Sequence, residues 1–139
     1  MKDKVFLDTN FLVYLYSENE IKKREIAYQI LNTHYCITSL QAFNEASNVW
    51  FKKFYFNGAK IQKYLENIEI VCDEILMIGR GTITTALSLK DQYGFSYFDC
   101  LMLASALESD CDTIMTEDMN DGQVINNLLK IENPFTKHS

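Results

Sequence analysis

Histidine is scarce in this chain, with two residues in 139, His34 and His138. Chemistry that needs two imidazoles as general base and general acid has little material here. Proline occurs once, at Pro134, and glycine five times, so no Pro/Gly-rich linker divides the chain and no low-complexity segment interrupts it. The closest glycine pair, Gly79 and Gly81, lacks the spacing of a phosphate-binding loop. The four cysteines, Cys36, Cys72, Cys100 and Cys111, include no C-x-x-C pair. They offer neither zinc-ligand nor dithiol spacing, and read as small, mostly buried hydrophobes in a reducing compartment. The apolar run nearest the N-terminus, Phe11 to Tyr16, is far too short to span a bilayer. Asp8 also interrupts the segment in which a secretory leader needs a continuous apolar stretch. The expectation is a cytoplasmic protein with no membrane association.

What the chain does contain is core-forming material: 47% apolar and 13% aromatic residues. Its length fits a single domain over residues 1–139. The formal net charge of −6 is unevenly spread. Residues 1–70 carry nine basic and eight acidic side chains, whereas residues 71–139 carry four and eleven. The cations cluster early, as Lys22-Lys23-Arg24 and as Lys52, Lys53, Lys60 and Lys63. A domain this acidic does not coat nucleic acid through long-range attraction, because sequence-independent affinity comes from cations neutralising phosphates. Any nucleic-acid role requires a local basic groove or a bound metal. The simpler alternative for these lysines is a solvated helix face.

Short apolar runs at Lys4–Leu7, Tyr35–Thr38, Ile75–Ile78, Thr113–Met115 and Leu128–Ile131 predict about five strands. Helical spacing fills the intervals. One helix is expected over 22–33, a second after the capping candidate Ser39, and a third from Gly58. A fourth is expected over Thr82–Tyr93, closed by Gly94, and a fifth from Ser96 to about Glu108. Strands separated by helices imply crossover connections, hence a parallel sheet covered on both faces. The fold class is α/β.

Ligands of such sheets bind beyond the carboxyl ends of the strands. Asp8 closes the first strand and Asp118 follows the fourth; if these strands are neighbours, both side chains can reach one ion. Taken singly, each acid also suits a helix or turn cap. Glu45 and Asp99 fall inside helices among apolar residues, Glu45 between Ala42 and Val49, Asp99 within FSYFDCLMLASA. A carboxylate on such a face costs several kcal/mol of desolvation or takes up a proton unless a cation or hydrogen-bond donors compensate. For Asp99 the simpler alternative is a first-turn carboxylate stabilised by backbone N–H groups. Four acids converging without basic partners call for a hard divalent cation, Mg²⁺ or Mn²⁺. Such a site activates water and stabilises the charge that develops on a phosphodiester.

The ordered set LDTN (Leu7–Asn10), NE (Asn44, Glu45), YFDCLMLASA (Tyr97–Ala106) and TED (Thr116–Asp118) resembles the PIN domain family over nearly the whole chain. The closing TEDMNDGQVI and ENPF look like a subgroup of VapC-type toxins and toxin-like ribonucleases. The resemblance implies a three-layer α/β/α sandwich with parallel strand order 3-2-1-4-5. It implies Mg²⁺ or Mn²⁺ held by Asp8, Glu45, Asp99 and Asp118, with Asn10 and Thr116 orienting the carboxylates, and cleavage of single-stranded or structured RNA. The segment MNDG departs from the commoner pattern after the fourth acid, so Asp121 is an additional or alternative fourth ligand.

A haloacid-dehalogenase-like phosphatase wants a second aspartate two residues after the first, where this chain has Asn10. A receiver domain wants a phosphoacceptor aspartate after the third strand, where it has Ile78-Gly79. The rival from another class is a PIN-like module that binds RNA or protein without cutting it. Lys52, Lys53, Lys60 and Lys63, near the helix bearing Glu45, are the expected RNA contacts. The aromatics Trp50, Phe51, Phe54, Tyr55 and Phe56 cover more than one helical face, which predicts burial of some of them in a homodimer or by an antitoxin.

Overall fold

The first strand, β1 (Lys4–Leu7), is buried on both faces: Val5, Phe6 and Leu7 have no more than 1% of their surface exposed. Successive strand residues point to opposite sides, so the sheet must be covered above and below. A computed structural model describes residues 2–136 of the protein; His138 lies outside the described residues. After β1 come α1 (Thr9–Tyr14), α2 (Ile21–Thr33), β2 (Tyr35–Ser39), α3 (Leu40–Phe54), α4 (Gly58–Val71) and β3 (Glu74–Leu76). The second half comprises α5 (Arg80–Tyr93), α6 (Tyr97–Glu108), β4 (Thr113–Met115), β5 (Val124–Ile125) and β6 (Leu129–Glu132).

The sheet order is β3-β2-β1-β4-β6-β5. Its first five strands are mutually parallel and reproduce the expected order, with β6 in the place of the expected fifth strand. The sixth strand is an addition. β5 has two residues and pairs antiparallel with β6, through a turn in which Asn126 and Asn127 both take the left-handed conformation at φ 52° and 57°. Two such residues in succession close a tight hairpin, and asparagine tolerates the conformation better than most residues.

The helices begin where small polar side chains can take the first free N–H groups. Ser39 Oγ accepts from Ala42 N at 3.2 Å, Asn57 Oδ1 from Lys60 N at 2.9 Å, and Ser96 Oγ from Asp99 N at 3.2 Å. Gly94 ends α5 at φ 79°, a conformation that costs glycine little. In α6, every residue from Cys100 to Ala106 is buried. A helix apolar all round must be enclosed, and α6 packs between α5 and strands β2 and β4. The four cysteines are free and buried, as expected. Among the described residues, no helix is long and apolar enough to cross a membrane.

The chain builds β1, β2 and β3 to one side, then crosses to build β4 and β6 on the other. The reversal falls between β1 and β4, where Leu7 pairs with Met115, so the residues just past those strands, Asp8 and Thr116, emerge side by side. Open parallel sheets form their ligand-binding crevice at this switch point.

Candidate active site

A cleft of about 450 Å³ opens there, lined by Asp8, Thr9, Asn10, Asn44, Glu45, Asn48, Val49, Phe98, Asp99 and Asp118. The four acids singled out from the sequence therefore share one cavity, and no Lys, Arg or His is among its lining residues.

Asp8 is both the N-cap of α1 and the deepest acid, 3% exposed. Its Oδ1 accepts from Thr9 N at 2.7 Å and its Oδ2 from Thr116 Oγ1 at 2.7 Å. Even so, burial pushes its pKa up to about 6; the two hydrogen bonds pull it down, and the Asp99 and Asp118 charges push it further up. Capping and cleft-lining thus coexist in one side chain.

Glu45 comes from the middle of α3 and is half-buried. Burial raises its pKa to about 7, opposed by a hydrogen bond from Gln41 Nε2 at 3.3 Å and reinforced by Asp8, Asp99 and Asp118. Asp99 stands in the first turn of α6, where burial raises its carboxyl above the usual range against a hydrogen bond from Ser96. Asp118 sits at the open rim. Partial burial and the Asp99 and Glu117 charges raise it, while Lys53 pulls it down.

Two neutral side chains tie the acids together. Thr116 Oγ1 donates to Asp8 and accepts from Asp118 N at 3.2 Å, and Asn10 Nδ2 donates to Asp118 Oδ2 at 2.7 Å. Asn10 and Thr116 thus each hold a carboxylate of the cleft by a hydrogen bond. Asp121 stands apart from the cleft: it is exposed, and its Oδ1 accepts from Asn133 N at 2.9 Å. That bond fastens the turn after Asn120 to the end of β6, so Asp118 is the fourth acid that the fold brings to the other three.

The lysines divide. Lys53, in the last turn of α3, is near enough to act on Asp118, and Lys52 beside it is exposed. Lys60 lies over the Phe56 ring, 3.9 Å from its centroid, and Phe56 lines a separate apolar recess with Trp50 and Phe54. Lys63 is exposed on α4 and does not line the cleft.

Sequence reasoning missed a brace behind the acids. Lys23 Nζ, on α2, bonds Glu117 Oε2 at 3.2 Å and Tyr14 Oη at 3.1 Å, and Tyr14 Oη also donates to Glu117. The same ammonium lies 4.6 Å from the Tyr14 ring centroid and 6.0 Å from that of Phe135, which packs edge-on against Tyr14. Glu117 directly precedes Asp118, so the brace holds the loop that carries the fourth acid. Gln41 and Asn48 were missed as well. Their only sequence signal is helical spacing, since Gln41 lies four residues before Glu45 and Asn48 four after Asn44.

The donor set fits a hard divalent cation. It consists of carboxylate and amide oxygens, and the acids raise one another's pKa values for lack of a countercharge. Thr9 supplies a further observation: its Oγ1 is buried without a hydrogen-bond partner. Among the described residues, no three His, Cys, Asp or Glu side chains are already drawn into a metal-binding cluster.

A mostly parallel α/β sheet thus carries, at its switch point, a cleft in which four carboxylates meet among neutral side chains. The PIN domain family model matches residues 5–120, and the chain belongs to that family. No curated protein matches it in sequence. Among solved structures it is similar to a toxin–antitoxin complex from Klebsiella pneumoniae, with a TM-score of 0.71 and 22% identity over 94% of this chain and 98% of that one. It is also similar to VapC20 of Mycobacterium tuberculosis, a sarcin–ricin-loop-cleaving toxin, with a TM-score of 0.66 and 13% identity over 82% and 89%. A third similar structure is VapBC2 of Rickettsia felis bound to a promoter DNA fragment, with a TM-score of 0.65 and 16% identity over 94% and 99%. These identities bear on the fold alone.

Proposed function

We propose that the protein is a divalent-metal-dependent endoribonuclease, the toxin of a toxin–antitoxin pair. The observation that carries this is the convergence of Asp8, Glu45, Asp99 and Asp118 in one cleft without a cation among its lining residues. These four would hold Mg²⁺ or Mn²⁺. An ion of this kind, when bound, acidifies a water and stabilises negative charge on phosphoryl oxygens.

The chain's own contribution is to fix the carboxylates before substrate arrives. Asp8 has one oxygen tied to Thr9 N and the other to Thr116 Oγ1, which sets the plane of the group. Asn10 sets Asp118. Pre-set geometry of this kind is what lets charge stabilisation act without reorganisation during the reaction. Membership of the PIN family supports nuclease chemistry, and structural neighbours that form toxin–antitoxin complexes support an antitoxin partner. Phe51 and Tyr55, 49% and 88% exposed at the end of α3, support burial against that partner or a second copy of the chain.

The test is cleavage of a mixed RNA pool by the purified protein, with Mg²⁺, with Mn²⁺ and in chelator, and with cut sites mapped. Cleavage is expected only with metal. Asp8→Asn and Asp99→Asn are expected to lower it on the order of 100-fold or more. Equal cleavage in chelator, or by the variants, would overturn the proposal.

A further inference from the structure

Helix α6 hides every side chain from Cys100 to Ala106, yet Phe98, just before Asp99, is 55% exposed and lines the acidic cleft. Burying a phenylalanine ring is worth roughly 1.5–3 kcal/mol, so a ring kept in water on the wall of a cleft marks a contact surface. Its position is not loose. Phe98 lies in the first turn of a capped helix, and the ring of Tyr97, centroid 5.9 Å away and tilted by 58°, stands beside it.

Helix α3 presents Asn44 and Asn48 to the same cleft, one turn apart. Both are exposed, and neither side-chain amide makes a hydrogen bond among the described residues. Each amide offers a donor pair and an acceptor, the complement of a nucleobase edge. The cleft lacks lysine, arginine and histidine among its lining residues. Beyond a bound metal, the cleft's own side chains therefore offer nucleic acid contacts to its bases rather than charge pairing with its phosphates. Stacking of a base on an aromatic side chain contributes about 1–3 kcal/mol, and an amide can read only an edge that no partner strand occupies.

Building on the ribonuclease reading above, we infer that Phe98, Asn44 and Asn48 form a subsite for one unpaired nucleobase next to the scissile phosphate. Phe98 stacks on the face of the base and the asparagines read its edge. Within single-stranded or looped RNA, the cut site then carries a base preference set from α3.

Two measurements on the full chain test this. Steady-state cleavage of a single-stranded RNA with Mn²⁺ separates KM from kcat. Fluorescence of a 2-aminopurine-labelled copy of that RNA, bound in chelator, reports stacking without turnover. Phe98→Ala is expected to lower kcat/KM roughly tenfold, mainly through KM, and to lose the fluorescence quench of the wild type. Phe98→Trp restores both, and Phe98→Leu, apolar but without a π face, restores neither.

The double variant Asn44→Ala, Asn48→Ala is expected to lose base preference at one position of the mapped cut sites. Unchanged KM and quench in Phe98→Ala, full rescue by leucine, or equal cleavage of a fully paired duplex would overturn the inference while leaving a metal-dependent ribonuclease in place. An unaltered cut pattern in the asparagine variant would overturn edge reading. A wild-type protein that neither binds nor cuts single-stranded RNA removes the ribonuclease reading itself, and the subsite with it.

Discussion

Thr116 Oγ1 stands 2.7 Å from Asp8 Oδ2, to which it donates, and 3.2 Å from the backbone nitrogen of Asp118, from which it accepts. One buried hydroxyl thus orders two acids that lie 110 residues apart in sequence. Thr116→Val keeps the shape and removes both bonds. It is expected to cost about 1–3 kcal/mol, since the buried Asp8 oxygen loses its donor. Because the bond favours the ionised form, its loss raises the Asp8 pKa further above about 6. The acid limb of the pH–rate profile of RNA cleavage should move to higher pH, and Thr116→Ser should reverse both effects.

Stability should depend on pH in a defined direction when metal is chelated. Asp8 and Glu45 have folded pKa values of about 6 and about 7, above their ordinary 3.8 and 4.5, so the folded chain holds these protons more tightly than the unfolded one. Their stabilising contribution is complete below about pH 4 and is lost as pH rises through 6 to 7. Between pH 5 and 8 the protein should lose on the order of 1–3 kcal/mol, a figure discounted for the half-exposure of Glu45. Thermal unfolding in chelator should show this slope flattened in Asp8→Asn. Mn²⁺ should raise Tm at pH 7.5 far more than at pH 5.

Lys23→Met removes the cation from the brace on Glu117. The pair is partly exposed, at 30% and 21%, so the stability loss should stay near or below 1 kcal/mol. Mn²⁺ affinity measured by calorimetry should nevertheless fall several-fold, because the loop bearing Asp118 is freed. Lys23→Arg should recover part of it. Unchanged affinity in Lys23→Met would assign the brace to stability alone.

Lys52 and Lys53 lie in the last turn of α3, and Lys53 acts on Asp118 at the cleft rim. The double variant Lys52→Ala, Lys53→Ala should raise the RNA dissociation constant and flatten its salt dependence by about two phosphate contacts. Lys60→Ala, which removes a cation seated on Phe56, should do less. Filter binding across a salt series distinguishes them.

Phe51→Glu places a charge on a ring that is 49% exposed on the same helix. Light scattering should show weaker self-association or weaker antitoxin capture than in the wild type. A monomer throughout, with partner binding unaltered, would leave that aromatic face unassigned to any interface.

The parallel sheet and the four acids were legible in the sequence because each left a local contradiction: Asp8 ending an apolar strand, Asp99 in the first turn of an enclosed helix. β5 was not legible, since a strand of two residues has no periodicity to detect. Asp121 stood in the same polar run as an additional or alternative fourth acid; its bond from Asn133 N, just past β6, is a contact between residues 12 apart that the run itself does not reveal. The Lys23–Glu117 brace joins residues 94 positions apart, and such a contact exists only once the sheet has brought α2 and the end of β4 together. Trp50, Phe51, Phe54, Tyr55 and Phe56 were expected to divide between core and partner; Trp50, 1% exposed, belongs to the core, whereas Phe51 and Tyr55 are exposed.

Phe135 closes the far side of that brace, in contact with Tyr14 and Phe11 and beneath the Lys23 ammonium. A truncation that stops short of Phe135 would touch no residue of the cleft, yet it would strip the packing from under Tyr14 and slacken the hold on Glu117. Proteolytic trimming of this segment would therefore register in the acidic cleft, as a loosened Asp118, as well as in the stability of the core to which Phe135 belongs.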